Sequence, residues 1–459
     1  MGVMSGHANP PRPARPRSAP RRGGARVPAE SLGTATRRAS LKLLDAVLRR
    51  GEPLESALAG ATRQLVSPPD RGLAHAIAAE VLRRLPDLDA LIDTATRQRL
   101  PDDAKARMAL RIALVQVLVL GTPPHAAIAT ALPLVDGGPR RLVHGVFGAL
   151  MRGGATLPAV PTLPAAVAAR WRAAWGEDMV AAAARAIAAP PPLDLSLRDP
   201  AWDGMAGDGM AGDGGAGDGR AAARLAPGHL RLAAAGPVPA LPGYGEGAWW
   251  VQDLAASIPA RLIGPGAGAA LDLCAAPGGK TLQLAAAGWT VTAVDASESR
   301  VARLSENLAR VGLTARTIVA DVCEWAPAVP AEAVLVDAPC SATGIFRRHP
   351  DVLHRAQDGT VAEMALLQQN ILARAAGWVR PGGVLVYATC SLEPAEGEEQ
   401  LARLLAARAD FAVAPPLAGE LPEGIAAHRD GYVRTLPGTL ADRGGCDGFF
   451  IVRLRRASA

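Results

Sequence analysis

The chain has 459 residues, 49% hydrophobic and 20% charged, which is enough for two or three domains with buried cores. No apolar run reaches the ~18 residues of a membrane span, and the Arg/Pro-rich start does not resemble a secretory signal. The five widely spaced cysteines argue against a disulfide framework and, without a CxxC pair, against a structural zinc site. These features predict a cytoplasmic protein with no membrane partner and no metal.

Much of the net charge of +6 lies at the start of the chain. Residues 1–33 contain six arginines and one glutamate, which gives +5 in that segment alone. A Pro/Arg-rich segment without apolar periodicity is predicted to be a disordered basic tail. It could speed association with a polyanion, or it could be solvated without a specific role.

Residues 34–153 have helical periodicity throughout. Apolar residues recur at four-residue spacing from Leu73 to Leu85, and residues 106–120 are apolar on nearly every face, as in a helix surrounded by others. Breaks such as "SPPD" and "GTPP" divide the segment into six or seven helices. This pattern predicts an independent all-α domain.

Residues 154–235 are predicted to be a helical connector. Helical periodicity continues over 160–190 and ends at "PPP". Residues 203–219 are then almost entirely Gly, Ala, Asp and Met, a composition that predicts a flexible surface insertion.

Residues 236–459 alternate apolar strands with amphipathic helices. Strands are predicted at 290–297, 315–321, 332–340 and 382–390, with a further strand leading into "CAAPGGKT". This alternation predicts an α/β domain with a doubly wound, mostly parallel sheet. In such sheets ligands bind beyond the carboxyl ends of the strands.

The glycine turn at 274–281 lies at such an end. A P-loop reading fails because Cys274 occupies the position of its first glycine. Asp295, Asp321 and Asp337 are predicted near the ends of the next three strands, a rim suited to adenosine; S-adenosylmethionine fits it better than NAD because GxGxxG is missing. Lys280, one of three lysines beside 46 arginines, suggests that a compact ammonium is needed in this turn.

Two cysteines, Cys340 and Cys390, follow two strands that should be neighbours, so their side chains should converge. Each could be a small core residue and the two could form a disulfide, but both lying in turns at strand ends favours chemistry. A thiolate that adds to C6 of cytosine makes C5 nucleophilic towards a methyl donor, with a carboxyl such as Asp337 near N3. The residues alone do not decide which thiol attacks.

A basic turn follows the first thiol closely. Arg347, Arg348 and His349 are predicted to contact RNA phosphates or bases, although a solvated basic turn is the alternative.

The motifs "DLCAAPGGKT", "LVDAPCSATGIFRRHPD", "VYATCSLEPAEGE" and "DGFFIVRLRR" closely resemble the Nop/Sun family of RNA (cytosine-5) methyltransferases. The all-α segment resembles the NusB-like RNA-binding domain of the bacterial 16S rRNA branch of that family. The resemblance runs from about residue 34 to the end. It implies a Rossmann-like S-adenosylmethionine methyltransferase domain preceded by a NusB-like domain.

The resemblance also assigns roles. Cys390 would be the nucleophile, and Cys340 would assist proton removal and enzyme release. Asp337 and Lys280, singled out above from the residues themselves, complete the candidate catalytic set. The cofactor would be bound by the following residues: Cys274, Ala275, Ala276, Pro277, Gly278, Gly279, Lys280, Asp295, Asp321 and Asp337.

The expected activity is methylation of a cytosine of 16S rRNA at C5 by a monomer. The alternatives are tRNA cytosine-5 methylation and a NusB-like RNA-binding factor with an inactive methyltransferase half. Two departures from the family, the insertion at 203–219 and "LSLRDP" (195–200) in place of an Arg-x-Asn ending, concern RNA positioning more than catalysis.

Overall fold

The computed structural model describes residues 1–2, 33–205, 222–233 and 236–458. Most of the predicted basic tail, and residues 206–219 of the predicted insertion, lie outside these ranges. No helix within the described ranges has the length and apolar character that crossing a membrane requires.

The described chain begins with an all-helical unit, as predicted. Its central helix, α5, is buried on almost every side, and it carries two buried arginines, Arg107 and Arg111. Both form ion pairs with Asp89, at 3.0 and 2.7 Å, which offsets the cost of burying their charges. The helices of this unit are α1 (Thr34–Arg50), α2 (Leu54–Thr62), α3 (Pro68–Arg83), α4 (Leu85–Thr94), α5 (Lys105–Leu118), α6 (Pro124–Ala131) and α7 (Gly137–Arg152).

The connector corrects one prediction, because only its first part is helical. Two helices are followed by strands of an antiparallel sheet with the order β2-β3-β1-β4. The strands are short, and Asp194 and Arg231 form a buried ion pair between two of them (2.6 Å). A buried strand is recognised in a sequence by its apolar residues, and these two positions are charged instead. The elements are α8 (Ala165–Trp175), α9 (Glu177–Ala186), β1 (Leu193–Leu197), β2 (Ala222–Ala226), β3 (His229–Leu232) and β4 (Trp249–Val251).

The carboxyl-terminal half contains the predicted doubly wound sheet. Along its order β10-β12-β9-β8-β5-β6-β7, the five strands from β9 to β7 are parallel, and β12 runs antiparallel to β9. The strands are β5 (Ala269–Leu273), β6 (Thr290–Asp295), β7 (Arg316–Val319), β8 (Ala331–Asp337), β9 (Val379–Thr389), β10 (Phe411–Val413), β11 (Val433–Thr435) and β12 (Phe449–Arg456). The helices are α10 (Leu254–Ile263), α11 (Gly279–Ala286), α12 (Glu298–Val311), α13 (Val352–Arg355), α14 (Asp358–Gly377) and α15 (Glu398–Ala407).

The all-helical unit packs against the segment that follows Cys340. The amide of Leu54 donates to Asp351 Oδ2 at 3.2 Å, and Arg355 Nε donates to the carbonyl of Gly51 at 2.8 Å. His354 Nε2 lies 2.8 Å from the carbonyl oxygen of Leu82. The first helices of the chain therefore contact the loop that carries a candidate catalytic residue.

Candidate active site

The glycine turn joins β5 to α11 and is anchored from the next strand. Cys274 and Gly278 have positive φ angles of 61° and 109°, and a Cβ on Gly278 would lie 2.9 Å from Leu304 Cγ. The absence of a Cβ at Gly278 therefore lets the turn pack against the helix that carries Leu304, and backbone amides lie at the start of α11. Burial raises the pKa of the Cys274 thiol, so this cysteine remains protonated.

The three predicted acids have different surroundings. Asp295, which is buried, accepts hydrogen bonds from the amides of Ala276 (3.1 Å) and Ser297 (3.0 Å), so it holds the glycine turn against the end of β6. Asp337 is the last residue of β8. Asp321 is exposed and follows the end of β7 by two residues, which corrects the prediction that the strand extends to it. A short chain of turns beyond Val319 replaces the predicted strand end.

Lys280 projects from the glycine turn to the end of β8. Its Nζ lies 2.6 Å from Asp337 Oδ2 and 5.4 Å from the centroid of the Phe449 ring. The Lys280 side chain is 8% exposed and that of Asp337 is 31% exposed. The ammonium therefore orients a carboxylate that is itself open to a ligand.

The two thiols converge as predicted. β8 and β9 are parallel neighbours with Asp337 opposite Ala388, and the Sγ atoms of Cys340 and Cys390 are 3.4 Å apart. The hydrogen bond with Cys390 and burial raise the pKa of Cys340 well above its ordinary value. Cys340 is thus a neutral thiol that can donate a hydrogen bond to a neighbouring sulfur. The two sulfurs are unbonded, so the structure holds them as free thiols.

The turns that carry the thiols are joined directly by backbone groups. The amide of Gly344 donates to the carbonyl of Cys390 at 2.9 Å, and the amide of Leu392 donates to Thr343 Oγ1 at 3.0 Å. The amide of Gly448, which precedes β12, donates to the carbonyl of Gly344 at 2.9 Å. Three segments therefore meet at Gly344.

Gly344→Ala is expected to disrupt this meeting point. A Cβ there would lie 1.9 Å from the carbonyl oxygen of Gly448, so the backbone has to move. We expect the free energy of unfolding to fall by ~1–3 kcal/mol and methyl transfer to fall with it, as measured by urea unfolding and product formation. Gly359→Ala in the first turn of α14 is the matched control, because within the described ranges no atom beyond its chain neighbours and the nearby backbone of α14 lies within 4 Å of the added methyl group. Equal stability and activity in both variants would contradict the expectation.

The basic turn after Cys340 requires a correction. Arg347 is 5% exposed and pairs with Asp253 (3.4 Å) and Asp447 (3.3 Å). Its side chain is therefore not available to RNA, contrary to the prediction. Arg348 pairs with the same two acids but remains 30% exposed. His349 is partly exposed, and burial lowers its pKa, so it is neutral near pH 7. The two buried carboxylates, far away in sequence, could not have been anticipated from the local motif.

Several residues of the site were not anticipated from the sequence. Glu396 is fully buried behind both thiols, and Trp171 and Trp175 of α8 hydrogen-bond to the turn after Cys390. Trp171 Nε1 donates to Glu393 Oε1 at 3.1 Å, and Trp175 Nε1 donates to the carbonyl of Leu392 at 2.8 Å. Glu396 lies in the motif "VYATCSLEPAEGE" and in the acidic run "EPAEGEE", and neither distinguishes a buried acid from exposed ones.

Asp272 is a second unanticipated acid, one residue before the end of β5. It is fully buried; its Oδ2 accepts from Thr281 Oγ1 at 2.5 Å, and its Oδ1 has no hydrogen-bond partner among the residues that the structure describes. Burial raises its pKa to about 7, against the opposing effect of the Thr281 hydrogen bond.

This raised pKa predicts a pH-dependent stability difference between the wild type and Asp272→Asn. The group binds its proton more tightly when folded, so its contribution is fully present below about pH 4 and is lost as pH rises through about 7. Relative to the variant, the free energy of unfolding of the wild type should decrease across this window by at most about 4 kcal/mol. Urea unfolding of both proteins at pH 4 and pH 8 measures the change. A difference that is the same at both pH values contradicts it.

Within the described residues, no group of three or more His, Cys, Asp or Glu side chains is arranged to hold a metal ion. The site brings together two thiols, an oriented carboxylate and a glycine turn at one edge of a parallel sheet.

Two family models match the chain, one in the all-helical unit and one in the carboxyl-terminal α/β half. Residues 265–455 match the 16S rRNA methyltransferase RsmB/F family and residues 34–147 match the NusB family. The ribosomal RNA small subunit methyltransferase B of Xylella fastidiosa (strain Temecula1) is 36% identical over 446 residues, covering 92% of this chain and 98% of its own length.

Solved structures agree with the fold. The crystal structure of PH0851 has a TM-score of 0.69 at 22% identity and covers 92% of this chain and 99% of its own. A methyltransferase homologue from Pyrococcus horikoshii has a TM-score of 0.51 at 25% identity and covers 63% of this chain and 93% of its own. With a NusB-family domain before a methyltransferase domain, and with this similarity over nearly its whole length, the chain belongs to the ribosomal RNA small subunit methyltransferase B family.

Proposed function

We propose that the protein transfers a methyl group from S-adenosylmethionine to C5 of a cytosine in 16S rRNA through a covalent bond between Cys390 and C6. The observation that carries this proposal is the pair of free thiols 3.4 Å apart, at the ends of adjacent strands and next to the Lys280–Asp337 pair. A single thiol would suffice for adduct formation, whereas a second, neutral thiol beside it suits the release of the first.

The residues of the glycine turn fit the cofactor. Gly278 and Gly279 form the start of α11, where backbone amides suit a ligand, and Asp295, Asp321 and Asp337 lie at or just beyond the ends of β6, β7 and β8. We assign the adenosine and amino-acid ends of S-adenosylmethionine to this turn (residues 274–280) and these acids. When bound, S-adenosylmethionine supplies an electrophilic methyl group.

The chain supplies the remaining chemistry. The Cys390 thiolate, having lost its proton to solvent, donates an electron pair to C6 and forms a C–S bond, while Asp337, oriented by Lys280 and protonated from solvent when the base binds, gives that proton to N3 of the ring. The resulting electron density at C5 takes the methyl group. The C5 proton then passes to solvent on the side of Cys340, the C5–C6 double bond re-forms as the C–S bond breaks, and N3 returns its proton to Asp337. The S–H of Cys340 stabilises the departing Cys390 thiolate by a hydrogen bond.

The choice of RNA rests on the amino-terminal half and on the relatives. The NusB-family domain and the names of the similar curated proteins favour 16S rRNA over tRNA. The target base has to leave its stack to reach the thiols, which lie just beyond the carboxyl ends of β8 and β9. We retain Arg348 and His349 as proposed RNA contacts, and we place the reaction in the cytoplasm, carried out by a monomer.

The test is methyl transfer by the full-length protein. Purified protein is incubated with labelled S-adenosylmethionine and unmodified 16S rRNA or tRNA transcripts, and the labelled nucleotide is mapped. We expect 5-methylcytosine in 16S rRNA. Label in tRNA alone would favour the tRNA alternative, and transfer to neither RNA would favour an RNA-binding factor with an inactive methyltransferase half.

A further inference from the structure

The buried carboxylate behind the two thiols has a geometry that its place in the acidic run does not suggest. Glu396 is fully buried, yet its two oxygens accept four hydrogen bonds. The donors are the amide of Ser341 (2.8 Å), its hydroxyl (2.5 Å), the hydroxyl of Ser391, and Gln368 Nε2 (3.2 Å). Each of the two serines directly follows one of the thiols.

Glu396 therefore joins the two turns from behind. Ser341 Oγ and Ser391 Oγ are themselves 3.2 Å apart, so one carboxylate holds both hydroxyls against each other. Gln368 extends the connection, because its Nε2 also donates to the carbonyl of Pro339, at 2.9 Å, just before Cys340. On the other turn, Ser391 Oγ accepts from the amide of Glu393 at 3.0 Å.

The residue is itself held rigidly. Tyr387 and Thr389, from the end of β9, donate from their hydroxyls to the backbone carbonyl of Glu396 at 2.7 and 3.1 Å. Burying a carboxylate and four donor groups costs free energy unless each donor is hydrogen-bonded. Here all four donors bond to the carboxylate. Burial raises the pKa of Glu396, and the hydrogen bonds from the two serines oppose that change.

We propose that Glu396 is a positioning residue, which sets the separation of Cys340 and Cys390 through Ser341 and Ser391 and thereby the rate of the chemical step. The consequence for catalysis rests on the proposed function, but the effect on the spacing of the thiols does not. Glu396 itself is fully buried, and it is linked to the two thiol-bearing turns through the serine hydroxyls.

Glu396→Gln removes the charge and one acceptor while keeping the size of the side chain. The amide cannot accept from all four donors, so one serine hydroxyl loses its partner and the two turns move apart. A displacement of about 1 Å at a reacting group can lower the rate of catalysis about 100-fold. We expect kcat to fall ~10–100-fold, with KM for RNA and for S-adenosylmethionine unchanged within about twofold.

The spacing of the thiols can be measured without methyl transfer. Diamide oxidises the two thiols to a disulfide, each thiol giving up its hydrogen while the N=N bond of diamide is reduced to a hydrazine. The protein loses two hydrogens, and mass spectrometry of the peptides that contain Cys340 and Cys390 follows the reaction. We expect Glu396→Gln to slow this oxidation about 10-fold, because the sulfurs no longer meet at contact distance.

Two further variants complete the experiment. Glu399→Gln is the matched control, since Glu399 is exposed, three residues away, and pairs with exposed Arg403; both rates should equal those of the wild type. Ser341→Ala removes one donor and keeps the carboxylate, so it should give a smaller effect in the same direction and serves if Glu396→Gln does not fold.

The outcomes separate the two proposals. Oxidation of Glu396→Gln, or of Ser341→Ala if the former is unfolded, at the wild-type rate overturns the positioning role, whatever the activity. If Glu396→Gln is oxidised more slowly than the wild type, the positioning role is supported. If the wild type also transfers no methyl group, the proposed function is rejected while the positioning role stands. An increase in KM with unchanged kcat would also overturn the role, because it would indicate a binding residue.

Discussion

Cys390→Ala is expected to abolish methyl transfer, lowering the rate about 10³-fold or more, and to form no covalent adduct with RNA. The reason is that the variant has no atom that can add to C6 at that position, and Cys340, whose pKa is raised by the neighbouring thiol and by burial, is held as a neutral thiol. Label transfer to 16S rRNA and adduct formation on a denaturing gel are the measurements.

Cys340→Ala should give the opposite pattern on the gel. The adduct with Cys390 forms, but the sulfur leaves without its hydrogen-bond donor, so the adduct accumulates. Cys323→Ala, which removes a thiol outside the proposed site, is the control and should behave as the wild type. If Cys390→Ala still forms the adduct and Cys340→Ala does not, the two roles are reversed.

Asp337→Asn is expected to lower kcat about 10²–10⁴-fold. The amide cannot carry the proton that the ring requires at N3, and it also deprives Lys280 of its ion-pair partner at 2.6 Å. Single-turnover methyl transfer measures the loss.

Glu332→Gln is the matched control for that variant. Glu332 lies at the opposite end of the same strand and has nearly the same side-chain exposure as Asp337, 32% against 31%, and it also pairs with a basic residue. It should retain wild-type activity. Equal loss in both variants would indicate damage to β8 rather than to a proton-carrying group.

Much of this site could be predicted from the sequence because it depends on strand order. A strand ending in Asp337 and a strand ending at Thr389 were each recognisable from Val, Leu and Ala runs, and parallel neighbours bring their ends together. The convergence of Cys340 and Cys390 follows from that order alone. The glycine turn was recognisable for the same reason, since it lies between a buried strand and a helix.

The remainder depends on contacts between distant segments. The sequence around Arg347 indicates a surface arginine. In the structure Arg347 is paired with Asp253 and Asp447, which lie nearly 100 residues away on either side. The sequence around Glu396 indicates one of several solvated acids. In the structure Glu396 accepts a hydrogen bond from the distant Ser341. The strands β1 to β3 escaped prediction because they are short and contain buried charges that pair across strands. In each case a local pattern was outweighed by a partner that the pattern does not contain.

The contact of α8 with the active site has a consequence for how this protein can be divided. The indoles of Trp171 and Trp175 complete the hydrogen bonds of the turn that carries Cys390, and Trp171 packs on Phe346 of the other turn with ring centroids 5.5 Å apart. The catalytic unit therefore begins before the first strand of its own sheet. A fragment that starts at residue 236 would retain Cys340 and Cys390 but lose these contacts to both turns, so a methyltransferase fragment that keeps them has to start no later than α8.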